Sequence, residues 1–529
     1  MSITSIVIVA IYIIAMLVMS LMVGRTNKNQ EDYFIGGRSM PWLPVACSIA
    51  ASTISANGLI GGPGWCYTSG MISFMLQFSI PLVLLVACNW IVPFFYNLKT
   101  TSSYEYLMMR FGKKSHFLGT IGYLATACTL LSGFVYIPSL IVQQITGWSL
   151  SVVVPIIVAV VIAYTMAGGI KAVIWTDAVQ MAVMWIGLIS IIIIGVKGTG
   201  LSLGGIFETA QAARMLNTLN FAGDITLENG FWVALIGGGA MWLQYFAADQ
   251  TQLQRMLASK SVHAAKRSIM SSGIIMNVMY FIFMLVGLVM FCFYQGAEFP
   301  SSNQVMITFI LEELPDWLLG LMIAAVFAAA MSSIDSVLNS MTTVFVKDIY
   351  ERYITKSNDP APLKVNILFT GAFGIVVVIF VLLGFGGSTA SVLATVGTYV
   401  GYVAGSLLSV FLLGLMTRKA NDLGTAIGFI AGIVGTWAMS FTTINWLWYY
   451  LVGAVVSFVV GYVASCIIGK NTKDISFYTL RGQREALVAK GEVAEADGTS
   501  ILPGKMDKFG WVLVAFFVVQ FFVLLAFTR

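Results

Sequence analysis

Fourteen apolar runs follow one another along the chain, near 4–23, 41–65, 71–96, 117–145, 149–167, 173–196, 230–248, 268–294, 318–346, 366–385, 390–416, 424–441, 445–468 and 510–527. About 20 predominantly apolar residues suffice to cross a hydrocarbon core, where every backbone N–H and C=O must be paired within the protein. The chain therefore reads as an all-α polytopic membrane protein of about fourteen transmembrane helices. Of its 529 residues 58% are hydrophobic and only 10% charged, which excludes an ordinary soluble enzyme. Basic residues orient the spans, because cytoplasmic flanks are enriched in Lys and Arg. With the N- and C-termini outside, all but three of the 28 Lys and Arg fall on the cytoplasmic side, the exceptions being Lys197, Arg214 and Arg529. The net charge of +5 thus reports topology and carries no sign of nucleic-acid binding. The first run lacks a basic leader and a small-residue cleavage site, so it reads as a retained helix. Six cysteines, Cys47, Cys66, Cys88, Cys128, Cys292 and Cys466, show no metal spacing and read as small apolar packers.

Several runs are wrong for lipid. In 318–350, LLGLMIAAVFAAAMSSIDSVLNSMTTVFVKDIY, a helix places Ser332, Asp335, Ser336, Asn339 and Thr343 on one face. A carboxylate inside a membrane is costly unless paired, and hydroxyl and carboxylate oxygens are the hard ligands a small cation prefers. Serines alone would read as a seam gluing helices together. With Asp335 and Asn339 beside them, an ion pathway is the stronger reading. Residues 48–64, SIAASTISANGLIGGPG, carry four glycines and Pro63 inside a span, so this helix is expected to be interrupted and to leave backbone carbonyls free. Asp177 lies near the cytoplasmic end of the sixth run, as an ion-pathway carboxylate or as a helix cap with Thr176. Gly237, Gly238 and Gly239 are expected to interrupt the seventh run.

Two glycine-interrupted helices, each opening a set of five runs, suggest inverted repeats with a binding site at their interface. Glycines are also common in membrane helices generally. The expected organisation is an extra N-terminal helix and link (1–40), a first repeat (41–196), an external loop (197–229), a second repeat (230–416) and three peripheral helices (417–529). The last part includes a polar cytoplasmic loop, 469–508, with a surface helix around LRGQREALVAKGEVAEA. An intramembrane enzyme would need a nucleophile and base at depth, but the only histidines, His116 and His263, lie in or beside cytoplasmic loops. A channel would need a ring of filter residues, and a sensor a signalling domain for which 469–508 is too short.

Four segments carry a resemblance: DYFIGGRSMPW, SIAASTISANGLIGGPG, AADQTQLQRMLASKS and FAAAMSSIDSVLNSMTTVFVKDIY. With them the chain resembles the sodium/solute symporter family nearly end to end, and its fourteen runs look like the sodium/glucose branch. The resemblance implies a LeuT-type fold of two inverted five-helix repeats in a cell-membrane carrier. It implies a sodium site formed by the carbonyls of Ala51, Ile54 and Ala329 and the hydroxyls of Ser332 and Ser333. It also implies, in some members, a second cation site, here Asp177 with Ser332, Asp335 and Ser336, where Asp335 replaces the Ser or Thr of some relatives. If the two carboxylates are neighbours, both ionise only with a cation between them, so one or two sodium ions are expected as coupling ions, or one ion and a titratable pair.

By the same resemblance Asn57, Gly58, Gln77, Tyr136, Gln244, Tyr245 and Asp249 would line the solute site. Gln77 stands where a bacterial galactose transporter has Glu, and Leu130 where sialic-acid members have Arg. With no Arg or Lys in the core of a run, a carboxylate would lack its usual fork. A neutral sugar or polyol is the expected solute. A monocarboxylate, sialic acid or proline is the alternative. The expected partners are therefore the solute, sodium and the lipid bilayer, with no obligate protein partner.

Overall fold

The computed structural model describes residues 2–355, 360–384, 392–469 and 475–528. The expected run boundaries at 385 and 390, part of the polar loop (470–474) and the external Arg529 lie outside the described residues. Among the described residues, the elements that position the site are helices α1 (Ile3–Gly24), α2 (Trp42–Thr53), α3 (Ala56–Ser69), α4 (Met71–Leu98), α5 (Lys113–Gln144), α6 (Leu150–Met166), α7 (Gly168–Thr199), α8 (Val233–Ala247), α9 (Gln250–Ala258), α10 (Val262–Phe293), α11 (Asp316–Thr355), α12 (Leu363–Gly384), α13 (Thr395–Met416), α14 (Asp422–Met439), α15 (Leu447–Ile468) and α16 (Lys508–Phe527). Eleven of these are long and apolar enough to span a membrane; α2 with α3 forms one bent pair, and α6 and α8 are shorter apolar helices.

The first interruption lies where the sequence places it. Ile54 (φ −87°, ψ 91°) and Ser55 (φ −82°, ψ 170°) are extended, and α2 and α3 meet at 62°. Ser52 and Thr53 hydroxyls fold back on the Ile49 carbonyl at 3.1 and 2.8 Å, the local competition that loosens a helix end. The glycines beyond serve packing, not the break. A Cβ on Gly64 would sit 2.0 Å from the Ser302 carbonyl oxygen, so the backbones of α3 and helix Ser302–Glu312 touch there.

The second interruption differs from expectation. Gly237, Gly238 and Gly239 do not break α8. The chain widens into a π turn over Val233–Gly237 and continues helically to Ala247. The break falls at Ala248 (φ −128°, ψ −14°) and Asp249 (φ −85°, ψ 128°), whose Oδ1 accepts the Thr251 amide at 2.7 Å and starts α9. Gly237 has a packing reason, since a Cβ there would come within 3.1 Å of the Leu447 carbonyl in α15, whereas at Gly238 and Gly239 a Cβ would meet nothing closer than 3.8 Å.

Straight helix α11 is the buried core, packed against α1, α5, α7 and α12. Its row of Ala and Ser permits that close approach. Gly169, with φ +58°, turns the chain between α6 and α7 against the Tyr33 ring. Helix Ser103–Arg110 buries Tyr104, Tyr106 and Leu107, as its apolar side predicts. Its Arg110 donates to the carbonyls of Gly414, Thr417 and Ala420 at 3.2, 2.6 and 3.1 Å, capping the end of α13. The polar loop carries the expected surface helix, Leu480–Ala489.

Contact this close predicts a sharp contrast between two glycines. Gly64→Val must displace the backbone of Ser302, and overpacking of this kind costs about 1–3 kcal/mol or more. Gly371→Ala, whose nearest neighbour would be a Met166 sulfur at 3.9 Å, should be neutral or slightly stabilising. Thermal melting of the detergent-purified variants checks both.

Candidate functional site

The first half of the site forms where the end of α2 meets the middle of α11. The last carbonyls of a helix have no partners within it. Here α11 supplies them: the Ser332 hydroxyl donates to the Ala51 carbonyl at 3.1 Å and the Ser333 hydroxyl to the Ser52 carbonyl at 3.4 Å. Both hydroxyls also reach the Ala329 carbonyl at 3.2 Å. Ala51, Ala329, Ser332 and Ser333 are thus brought together as anticipated, all fully buried, with Ile54 in the break itself. The Ser52 carbonyl joins them. Such a knot of neutral oxygens, two of them on rotatable hydroxyls, can turn its lone pairs onto a small hard cation.

One turn further along α11 lies a second cluster. Asp335 accepts from the Tyr164 hydroxyl at 2.8 Å and from the Ser336 hydroxyl at 3.1 Å. Asp177, inside α7 and not at its start, accepts from the Ser48 hydroxyl at 2.5 Å. The cap alternative fails for that reason, and the Thr176 hydroxyl instead bonds back to the Ala172 carbonyl at 2.9 Å.

Sequence reasoning missed Arg255, grouped there with the cytoplasmic basic residues. It is wholly buried, 3.3 Å from Asp177 Oδ2, and it also donates to Ser336 Oγ, to Ser48 Oγ at 2.8 Å and to the Thr251 carbonyl at 2.7 Å. A resident guanidinium therefore already neutralises one of the two carboxylates. Asp177 Oδ1 and both side-chain polar atoms of Gln180 and Asn339 are buried without a protein partner among the described residues. The sequence did carry a signal for Arg255. In QTQLQRMLA, glutamines alternate too regularly for a solvated link, and all nine residues of α9 are buried.

The second half is a cavity of about 690 Å³ between the two broken helices. All seven anticipated residues, Asn57, Gly58, Gln77, Tyr136, Gln244, Tyr245 and Asp249, line it, and so does Leu130. Gln77 Oε1 is buried without a protein partner. Among the described lining residues no Lys, Arg or His occurs, and the two carboxyls are Asp249 and Glu228. Glu228, missed because it lies in the external loop, accepts from the Trp446 indole at 3.0 Å. Burial raises its carboxyl above the ordinary value, and the indole bond opposes that rise. The start of α3 opens on the same cavity through Ser55, Asn57 and Gly58, and Ser55 makes no side-chain cap. Its first amides have no capping side chain from Ser55.

Comparison with known proteins identifies the family. Residues 33–432 match the family described as "Sodium:solute symporter family". Sodium-coupled monocarboxylate transporter 1 of Xenopus laevis is 30% identical over 417 residues, 77% of this chain and 67% of that protein. The sodium/sialic acid symporter of Proteus mirabilis is 28% identical over 466 residues, 86% of this chain and 93% of that one. The chain spans only about two thirds of the animal monocarboxylate and multivitamin transporters it matches. A solved sodium-coupled sialic acid symporter, substrate-bound and outward-open, superposes with a TM-score of 0.82 at 26% identity, covering 89% of this chain and 99% of that one. A nucleobase-cation symporter of 14% identity and TM-score 0.59, covering 86% and 98%, shares the LeuT-like fold alone. These relatives are membrane transporters and not enzymes, and the protein is itself an integral membrane protein with sodium as its coupling ion. The chain belongs to the sodium:solute symporter family.

Proposed function

We propose that the protein is a sodium-coupled symporter of a small carboxylate-bearing solute, working by alternating access in the cell membrane. The observation that carries the ion half is the pairing of Ser332 and Ser333 with the carbonyls beside the α2 break. Sodium binds there through Ala51, Ile54, Ala329, Ser332 and Ser333, drawing α2 and α11 together and shaping the cavity. Inward tilting then releases sodium into the sodium-poor cytoplasm. The chain crosses the membrane fourteen times with both termini outside, in two inverted repeats, 41–196 and 230–416. Breaks at Ile54–Ser55 and Ala248–Asp249, each in the first helix of its repeat, support that division.

A second sodium binds between Asp177, Ser332, Asp335 and Ser336. With Arg255 present, the two ionised carboxylates leave one net negative charge. One monovalent cation makes the cluster neutral.

For the solute, two observations point to a carboxylate. The relatives named above carry monocarboxylates, vitamins or sialic acid by name. The uncapped start of α3 offers amides and the positive end of a helix dipole to an anion, which removes the need for an arginine fork. A neutral sugar or polyol is the second reading, favoured by the amides, Glu228 and Asp249 in a lining without cationic side chains.

Uptake into proteoliposomes decides between them. A labelled panel of pyruvate, sialic acid, proline, glucose, galactose and myo-inositol, with and without an inward sodium gradient, should show sodium-driven accumulation of a carboxylate, and Ser333→Ala should abolish it. Uptake indifferent to sodium and to Ser333 would sink the proposal.

The accumulation limit counts the ions. A charge crossing 100 mV gains about 2.3 kcal/mol and a tenfold gradient adds about 1.4, so one sodium supports about 500-fold accumulation of a neutral solute and two about 10⁵-fold. For a monoanion the 100 mV opposes the solute's own charge and lowers each limit by about 50-fold.

The buried pair gives an independent check on the second cluster. Asp177→Asn leaves Arg255 buried without its counter-ion and should cost about 3–5 kcal/mol. Adding Arg255→Gln should recover part of that loss, so the double variant is more stable than the sum of the singles predicts. Denaturant unfolding in detergent measures the cycle.

A further inference from the structure

Helix α9 is short, wholly buried and polar, and its side chains reach different elements. Gln250 accepts from the Ser103 amide at 2.7 Å and donates to the Thr101 carbonyl at 3.0 Å. Gln254 accepts from the Ser340 hydroxyl at 3.1 Å and donates to Thr343 Oγ1 at 3.2 Å. Residues three apart share a helix face, and one face of α9 carries Asp249, Gln252 and Arg255. Asp249 lines the cavity. Arg255 holds Asp177 and Ser336. Gln252 lies between them, and neither the solute site nor the ion sites have so far included it.

Its contacts join the two halves. Gln252 Nε2 donates to the Ser52 hydroxyl at 3.0 Å and reaches the Thr53 hydroxyl at 3.5 Å. Ser52 is the residue whose carbonyl receives the Ser333 hydroxyl, and Thr53 lines the cavity. On the other side Gln252 faces the hydroxyl of Tyr245, a cavity residue. Gln252 Oε1 is buried without a protein partner. A buried amide oxygen left unpaired costs about 1–3 kcal/mol, so it is poised to take a donor whenever the cavity rearranges.

We infer that Gln252 is the positioning residue that transmits ion binding at the α2–α11 junction to the solute cavity. An ion held by the Ser333 hydroxyl shifts the Ser52 carbonyl that this hydroxyl reaches, and with it the Ser52 hydroxyl. That hydroxyl holds the Gln252 amide, and the amide fixes Tyr245 and the start of α9 at Asp249. Gln252 and Ser52 are joined by a hydrogen bond between buried groups, so this link transmits a shift of a few tenths of an ångström where a solvated contact would absorb it.

The inference rests on the sodium reading of that junction, and the test separates the two using sodium alone. A cysteine-free carrier with Met241→Cys, in the cavity lining, is labelled by a maleimide with and without sodium, while ²²Na⁺ binding is measured on the same purified protein. The parent should bind sodium and change its labelling rate by about fivefold or more, the scale of ordinary site coupling. In Gln252→Met, which keeps the volume, sodium affinity should stay within about threefold while the labelling response disappears. Ser52→Ala removes the partner hydroxyl from the other side, and should give the same result if the first variant folds poorly. A labelling response that survives both changes overturns the inference. So does loss of sodium binding in both, which would make Gln252 scaffolding for the ion site. A parent that binds no sodium, or binds it with no change in labelling, overturns the junction reading itself.

Discussion

A helix that stops in the middle of a membrane leaves carbonyls that neither lipid nor its own backbone can satisfy, and each costs several kcal/mol unless something else pairs with it. At the end of α2 the pairing comes from Ser332 and Ser333 of α11. The rest of the architecture serves that contact. Helix α11 must be lined with small residues to come so close, and α1, α5, α7 and α12 pack around it, leaving Ser332 and Ser333 fully buried. A hydroxyl satisfies a carbonyl by donating a proton and a cation by offering a lone pair. On the proposed sodium site the same oxygens would have two good arrangements, one with the ion and one without, which is the bistability a coupled carrier requires.

The second broken helix solves its problem differently. After Asp249 the chain turns polar, and α9 buries three glutamines and an arginine where an apolar helix would be expected. Buried polar groups are tolerable only when paired. Here the partners lie on different elements: Thr101 and Ser103 for Gln250, Ser52 for Gln252, Ser340 and Thr343 for Gln254, Ser48, Asp177 and Ser336 for Arg255. Moving α9 alone would strand several of these groups at once. Helix α9 is therefore tied to the elements that hold these partners.

Much of this was legible in the sequence, because membrane helices announce themselves by length and an intramembrane Asp335 beside Asn339 has few other uses. The first break was placed correctly from the glycines and Pro63 around it, although the Ser52 and Thr53 hydroxyls are what loosen the helix end. The second could not be read from its glycines, since Gly237 serves a close approach to α15 and the stop signal is the capping Asp249. Arg255 was misplaced because the rule that sorts basic residues by membrane side says nothing of their depth. Glu228 was missed because its loop position hides that Trp446 holds it over the cavity. The carboxylate proposal turns on the start of α3, where an uncapped helix end would do what a missing arginine does elsewhere, and a backbone amide has no letter in a sequence.

Electrostatics then explains why sodium and an anionic solute would bind together. The start of α3 offers about half a positive charge, while Asp249 and Glu228 oppose an anion in the same cavity. By itself the site holds a carboxylate poorly. On the proposed assignment, a sodium ion at the Ala51–Ile54 end of α2 would sit across the bend from Ser55 and Asn57 and would add a full charge a few residues away in a medium that screens little. An anion would then gain affinity only in the ion-loaded carrier, and by linkage the ion would gain the same amount from the anion. A neutral polyol would feel almost none of that field. Its coupling would have to come from shape alone, through the Ser52–Gln252 hydrogen bond and the Tyr245 side chain that Gln252 faces.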